Sequence, residues 1–149
     1  MADETNSLLD EVQAEVSALD AFLSVDPNRP KSTVRMHVQS LGAAVTIREL
    51  EETEINMILQ QAEDAAQKAA QGAYVNQVDM HARIVAMGMV DPNLRDPSVM
   101  DKLHKKFGTG QNPERVVLTV LKPLEITKLA NKIMEISGMG DDAVTEAGN

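Results

Sequence analysis

Apolar and polar residues along this chain change their period several times, and each change marks an element. From about Ser7 to Leu23, residues Leu9, Val12, Val16, Leu19 and Leu23 recur three and four apart, which predicts an amphipathic helix with Asn6 or Ser7 as its N-cap. The segment Asp26-Pro27-Asn28-Arg29-Pro30 ends it, because proline lacks the amide hydrogen and restricts the residue before it. The period then shortens to two over Val34-Arg35-Met36-His37-Val38 and again over Val45-Thr46-Ile47-Arg48-Glu49-Leu50, with Ser40-Leu41-Gly42 between them, which predicts a β-hairpin. A hairpin alone is marginal in water, so this one is expected to pack on a helix or to join strands of another subunit.

Helical spacing returns from Glu51 to about Gln71, where Ile55, Ile58, Leu59, Ala62, Ala65, Ala66 and Ala69 share one side and Gly72 follows. A third helix is expected over about Val75 to Met89, with Val78, Ile84, Val85 and Met89 among its apolar positions, and Asp91-Pro92-Asn93-Leu94 breaks it. Asp96-Pro97 pairs an N-cap with a proline at the first helical position and opens a short helix ending near Phe107-Gly108; Asn112-Pro113 repeats the device for a segment through Leu121. Pro123 starts a last helix carrying Ile126, Leu129, Ala130, Ile133 and Met134, stopped at Gly138. The residues after Met139 are small and acidic and read as a disordered tail.

The expected fold is mainly α with a small β component (α+β). It comprises an N-terminal amphipathic helix over 1–24, a linker and β-hairpin over 25–50, a bundle of four to five helices over 51–138, and an acidic tail over 139–149. A chain of 149 residues fits one domain with appendages. Its apolar residues are unusual in kind: with no Trp, one Tyr and two Phe, the core has to be built from aliphatic side chains and from some of the nine Met. Any Met left outside the core gives a deformable apolar surface, since its thioether side chain is unbranched and polarizable.

Charge narrows the partners. The formal net charge of −9 opposes binding to nucleic acid or to an anionic membrane. It is unevenly spread: Asp3, Glu4, Asp10, Glu11, Glu15 and Asp20 meet no basic residue in the first twenty positions, whereas Arg95, Lys102, Lys105, Lys106, Arg115, Lys122, Lys128 and Lys132 dominate the C-terminal third. The acidic N-terminus differs from a basic signal peptide, and no apolar run approaches the ~20 residues that span a bilayer, so a cytosolic location is expected.

Catalytic chemistry finds little support. Without Cys there is no thiol nucleophile, disulfide or Cys-based metal site. His37, His81 and His104 stand singly, and Asp79 and His81, two apart, lie on different faces of a helix. Asp91, Asn93 and Asp96 resemble part of a calcium loop, but Asp96 and Lys102 occupy the positions where that loop needs Gly and Glu. Gly108-Thr109-Gly110 lacks the Gly-Lys-Ser/Thr step of a phosphate loop, and the run Glu49, Glu51, Glu52, Glu54 reads as a solvated helix start favoured by the macrodipole. No catalytic, cofactor or metal residue is therefore assigned. What remains is interaction surface. The acidic N-terminal seam suits a basic partner, either the basic third of the same chain or that of a neighbour, and exchange of this helix between copies would give a homo-oligomer.

The C-terminal half, VNQVDMHARIVAMGMVDPNLRDPSVMDKLHKKFG followed by NPERVVLTVLKPLEITKLANKIMEISGM, resembles the XkdN-like tail-assembly chaperones of long-tailed phages and related phage-like particles. The likeness lies in the order of features: Val85 to Val90, the Asp91-Pro92-Asn93-Leu94 break, the short helix to Phe107-Gly108, Pro113 to Leu121, and Ile126 to Gly138-Met139. Lys122-Pro123-Leu124-Glu125 stands where that family usually has a Pro-Gly-Glu-like step. The resemblance implies a non-enzymatic chaperone in the host bacterial cytoplasm. It would bind the tape-measure protein, keep its long helices soluble and help recruit tail-tube protein, with no cofactor. The candidate partner contacts are Leu9, Val12, Val16, Leu19 and Leu23 on the first helix and Ile126, Leu129, Ile133, Met134 and Ile136 on the last, each of which a plain core would also require. The alternative is a minor structural component of a tail or baseplate whose hairpin adds strands to a neighbour's sheet.

Overall fold

A computed structural model of the chain describes residues 17–70, 77–139 and 144–147. The chain divides into two units, Met1–Pro30 and Lys31–Asn149. In the first, α1 runs over described residues 17–23 and ends where the Ser24 hydroxyl donates to the Ala21 carbonyl, just before the Asp26-Pro27 step. The expected seam residues Leu9, Val12 and Val16 lie outside the described residues, as do Gly72, Val75 and most of the C-terminal tail.

The second unit begins with the expected hairpin. Strand β1 (Thr33–Val38) pairs antiparallel with β2 (Ala43–Arg48), from Thr33 opposite Arg48 to Val38 opposite Ala43. The turn between them is closed by Gly42 at φ 62°, a left-handed conformation that costs glycine nothing for want of a Cβ. Alternation sends Val38, Val45 and Ile47 into the core while Thr33, Arg35 and His37 face solvent. The hairpin needs no second subunit to complete a sheet, because Met89–Asp91 forms a third antiparallel strand, β3, beside β2 (order β1-β2-β3) with an irregular register at Thr46 and Ile47.

Five further helices make up most of the rest of the described unit. Helix α2 (Glu52–Ala70) buries Ile58 and half-buries Ile55, Ala62 and Ala65. Helix α3 (Gln77–Gly88) stops one residue short of the expected Met89, which pairs with Ile47 instead. Gly88 permits this abrupt helix-to-strand step, since a Cβ there would lie 2.7 Å from Ile133 Cδ1 and 3.3 Å from the Arg48 carbonyl oxygen. The Asp91-Pro92 peptide that follows β3 is cis.

Helices α4 (Pro97–Phe107) and α5 (Pro113–Val120) open as their sequences predict: Asp96 and Asn112 accept from the amides of Ser98 and Arg115, with proline in the first turn of each. Helix α6 (Pro123–Met134) continues as a π-helical turn over Glu135–Met139 and ends at Gly138, φ 81°. The core lies where α3 packs on α5 and α6 beneath the sheet, with Ile47, Val85, Met100, Val117, Ile126 and Ile133 its largest enclosed side chains. Two polar links fasten the layers: Glu125 accepts from both the amide and the hydroxyl of Ser40 in the hairpin turn, and Ser137 Oγ accepts from the Leu50 amide while donating to the Ile133 carbonyl.

Candidate functional site

Apolar residues converge between α2, α3 and the end of α6. Leu50 leads into α2, whose Ile55, Ile58 and Leu59 recur at helical spacing; Met80 and Ile84 face them from α3, and Met134 and Met139 close one end. Together they line an open cleft whose accessible lining is wholly apolar. Leu59 is 55% exposed and Met139 53%, so the cleft reaches solvent. Other exposed apolar residues of the second unit, among them Leu41, Met57, Leu124 and Val144, are outside this lining. Isolated surface apolar residues are ordinary, whereas a contiguous accessible set is the signature of a binding surface.

One wall of this cleft is anchored by an ionic cluster. The Arg48 guanidinium donates to both Glu54 carboxylate oxygens at 2.8 and 2.6 Å, and to the carbonyls of Glu49 and Met87 at 3.0 Å each. Arg95 donates to Glu54 at 3.3 Å and to the Met87 carbonyl, and Lys31 approaches Glu54 at 3.6 Å. Only 10% of the Arg48 side chain and 13% of Glu54 remain exposed. The hydrogen bonds from Arg48, assisted by the Glu51 amide and the charges of Arg48 and Lys31, hold the Glu54 carboxyl down to about 2 against the opposing effect of burial. Glu54 is thus not part of a solvated acidic run. It welds the first turn of α2 to β2, to the end of α3 and to the start of α4.

The C-terminal third is not one uniform basic patch either. Arg95 is engaged by Glu54 and Lys132 by Glu135 at 3.4 Å, while Lys102, Lys105 and Lys106 are exposed on α4, with the Lys106 ammonium 5.5 Å from the ring centre of Phe107. His104 accepts the Gly110 amide through Nδ1, and His81 Nδ1 lies 3.3 Å from the Thr127 hydroxyl, so each supports a local fold. The Glu125 carboxyl is held below the usual carboxylate range by the Lys122 amide and by Ser40, and that of Asp96 by the amide and hydroxyl of Ser98; both groups cap helices. Among the described residues no cluster of His, Asp and Glu is arranged to hold a metal ion, and no helix is long and apolar enough to cross a membrane.

The partner-contact candidates scatter. Ile126, Leu129 and Ile133 are buried in the chain's own core, Ile136 is half-buried, and Met134 lines the cleft; Leu19 and Leu23 are exposed on α1. Of the cleft residues outside that set, Leu59 and Met80 belong to the helices α2 and α3, whose apolar spacing is the sequence signal for them, whereas Met139 follows the Gly138 stop and has no such signal.

Comparison with known proteins supplies the frame for this surface. No curated protein matches the chain. The crystal structure of the protein yqbn is similar in outline, with 18% sequence identity and a TM-score of 0.47 over 76% of this chain and 92% of that one. The family model for the phage XkdN-like tail assembly chaperone protein matches residues 19–147, nearly the whole described chain. By that match the chain belongs to the phage XkdN-like tail assembly chaperone family.

Proposed function

We propose that this chaperone binds the tape-measure protein in the host bacterial cytoplasm, keeps its helices soluble and presents it to tail-tube subunits during tube assembly. The observation that carries the reading is an accessible, wholly apolar cleft between α2, α3 and the end of α6 in a member of a tail assembly chaperone family. A long helical client exposes an apolar stripe until it is enclosed, and a cleft with three Met in its lining can repack around successive stretches of such a stripe. Of the residues named as contacts on α6, Met134 serves the cleft, with Ile136 beside it, while Ile126, Leu129 and Ile133 act by holding α6 in place. Leu9, Val12, Val16, Leu19 and Leu23 of the N-terminal seam form a second client surface in this proposal. Nothing in the role calls for catalysis or a cofactor.

Co-expression with the tape-measure protein tests it, by size-exclusion chromatography with light scattering. A soluble complex that forms only when both are present supports the reading; a tape-measure protein that stays insoluble while the chaperone elutes alone refutes it. The position of β1 at the edge of the sheet favours a second reading, a minor structural component of the tail or baseplate that receives a neighbour's strand along β1. Recovery of the chain from purified particles would decide for that alternative.

A further inference from the structure

The α2 rim of the apolar cleft carries charge of one sign. Glu52 lies three residues before Ile55 and Glu63 four after Leu59, so both carboxylates fall on the α2 face that forms the cleft wall. Glu52 and Glu63 are exposed and carry no ion pair among the described residues. Among the described residues, three basic side chains on the elements around the cleft are engaged in ion pairs: Lys31 with Glu51 and Glu54, Arg83 with Glu114 at 3.3 Å, and Lys132 with Glu135. Lys68 stands beyond Glu63 in the last turn of α2, past the end of the lining residues.

An apolar floor between uncompensated carboxylates discriminates by charge. A helix that inserts aliphatic side chains brings its flanking positions against Glu52 and Glu63. Lysine or arginine there gains attraction at close range, while glutamate there is repelled. We infer that the cleft is the docking site for an amphipathic helix whose apolar stripe is flanked by Lys and Arg, with one or two aliphatic anchors seated between Leu59 and Met80. This rests on the chaperone reading only for the identity of the client, which would be the basic helical stretches of the tape-measure protein.

The test uses the full chain and two synthetic helical peptides of about 18 residues, long enough to form a stable helix. Both carry leucine at i, i+3, i+4 and i+7, one with lysine at the flanking positions and its twin with glutamate. Methyl spectra of the chain labelled at methionine report the site, with Met80 and Met134 identified by substitution to Leu. The expected result is movement of the Met80, Met134 and Met139 methyl signals with the lysine peptide and binding at least about tenfold weaker for the glutamate twin. Leu59→Asp, at an exposed position that the fold tolerates, should cost about tenfold in affinity, and the pair Glu52→Lys and Glu63→Lys should remove the preference between the twins. Methyl signals that stay in place, equal binding of the twins, or movement of the same signals on concentrating the chain alone, which would mean a second copy in the cleft, would each overturn the inference. Insolubility of the tape-measure protein in co-expression would instead remove the chaperone reading and leave the peptide result standing.

Discussion

Replacing Glu54 by Gln should be among the most damaging single substitutions that leave the hydrophobic core untouched. The perturbation removes the one negative charge shared by Arg48, Arg95 and Lys31 and leaves the Arg48 guanidinium, 10% exposed, with only carbonyl partners. A carboxyl held at about 2 in the folded chain against an ordinary value of 4.5 contributes about 3 kcal/mol of stability at neutral pH. Breaking a buried ion pair by removing one partner costs a similar amount, roughly 3–5 kcal/mol. The sign with pH follows from the direction of the shift. Because the folded value is lowered, the contribution is complete above the ordinary carboxyl value and fades as pH falls through about 2. Urea unfolding of both proteins, followed by circular dichroism at a series of pH values, measures the gap directly, and the other carboxylates cancel in the difference. We expect a gap of about 3 kcal/mol at neutral pH that shrinks once the pH drops below about 4.5. A gap under about 1 kcal/mol at neutral pH, or one unchanged on acidification, would refute the assignment of Glu54 as an anchor. The double variant Arg48→Met with Glu54→Leu should recover most of the loss, since apolar replacement of both partners leaves no buried unpaired charge and Arg95 is mostly exposed.

Gly88→Ala should destabilise by roughly 1–3 kcal/mol, because the new methyl meets Ile133 Cδ1, and adding Ile133→Val should restore part of that in the same unfolding assay. Ile133→Ala should cost roughly 2–5 kcal/mol by opening a cavity under the sheet, and if it leaves the urea midpoint unchanged the core is misplaced. Asn112→Ala should cost about 1 kcal/mol through loss of the cap on α5, with Asn112→Asp retaining it. Deleting residues 1–24 should lower the number of copies per particle measured by light scattering if copies exchange the N-terminal helix, and an unchanged oligomer would exclude that exchange.

The sequence made the punctuation of the fold legible. Asp96-Pro97, Asn112-Pro113, Gly42, Gly108 and Gly138 each act locally, through a side-chain oxygen, a missing amide hydrogen or a missing Cβ, and each sits where local chemistry places it. Strand β3 escaped notice for a physical reason: its three residues, Met89-Val90-Asp91, are too few to show alternation, and Met89 falls in phase with the helix before it. Only pairing with Ile47, far away in the chain, decides its state. Glu54 was hidden the same way, because its partners Arg48 and Arg95 lie on either side of it in sequence and nothing local distinguishes it from Glu51 or Glu52. The cleft was half visible. Met134 stood among the candidates for contact, but the division of α6 into buried and accessible sides depends on where α2 and α3 lie.

The continuity of α3 with β3 also bears on how the chain is synthesised. When the hairpin leaves the ribosome it has no third strand and Arg48 has no Met87 carbonyl, since both arrive with the end of α3. Helix α3 in turn lacks its main packing surface until α5 and α6 follow, and Ile133, the residue beneath Gly88, belongs to α6, the last of these helices to be made. Completion of this core therefore waits until α6 has been made. Any client captured by the cleft meets a finished chaperone, because the Met134 and Met139 that close the cleft are made after everything else that lines it.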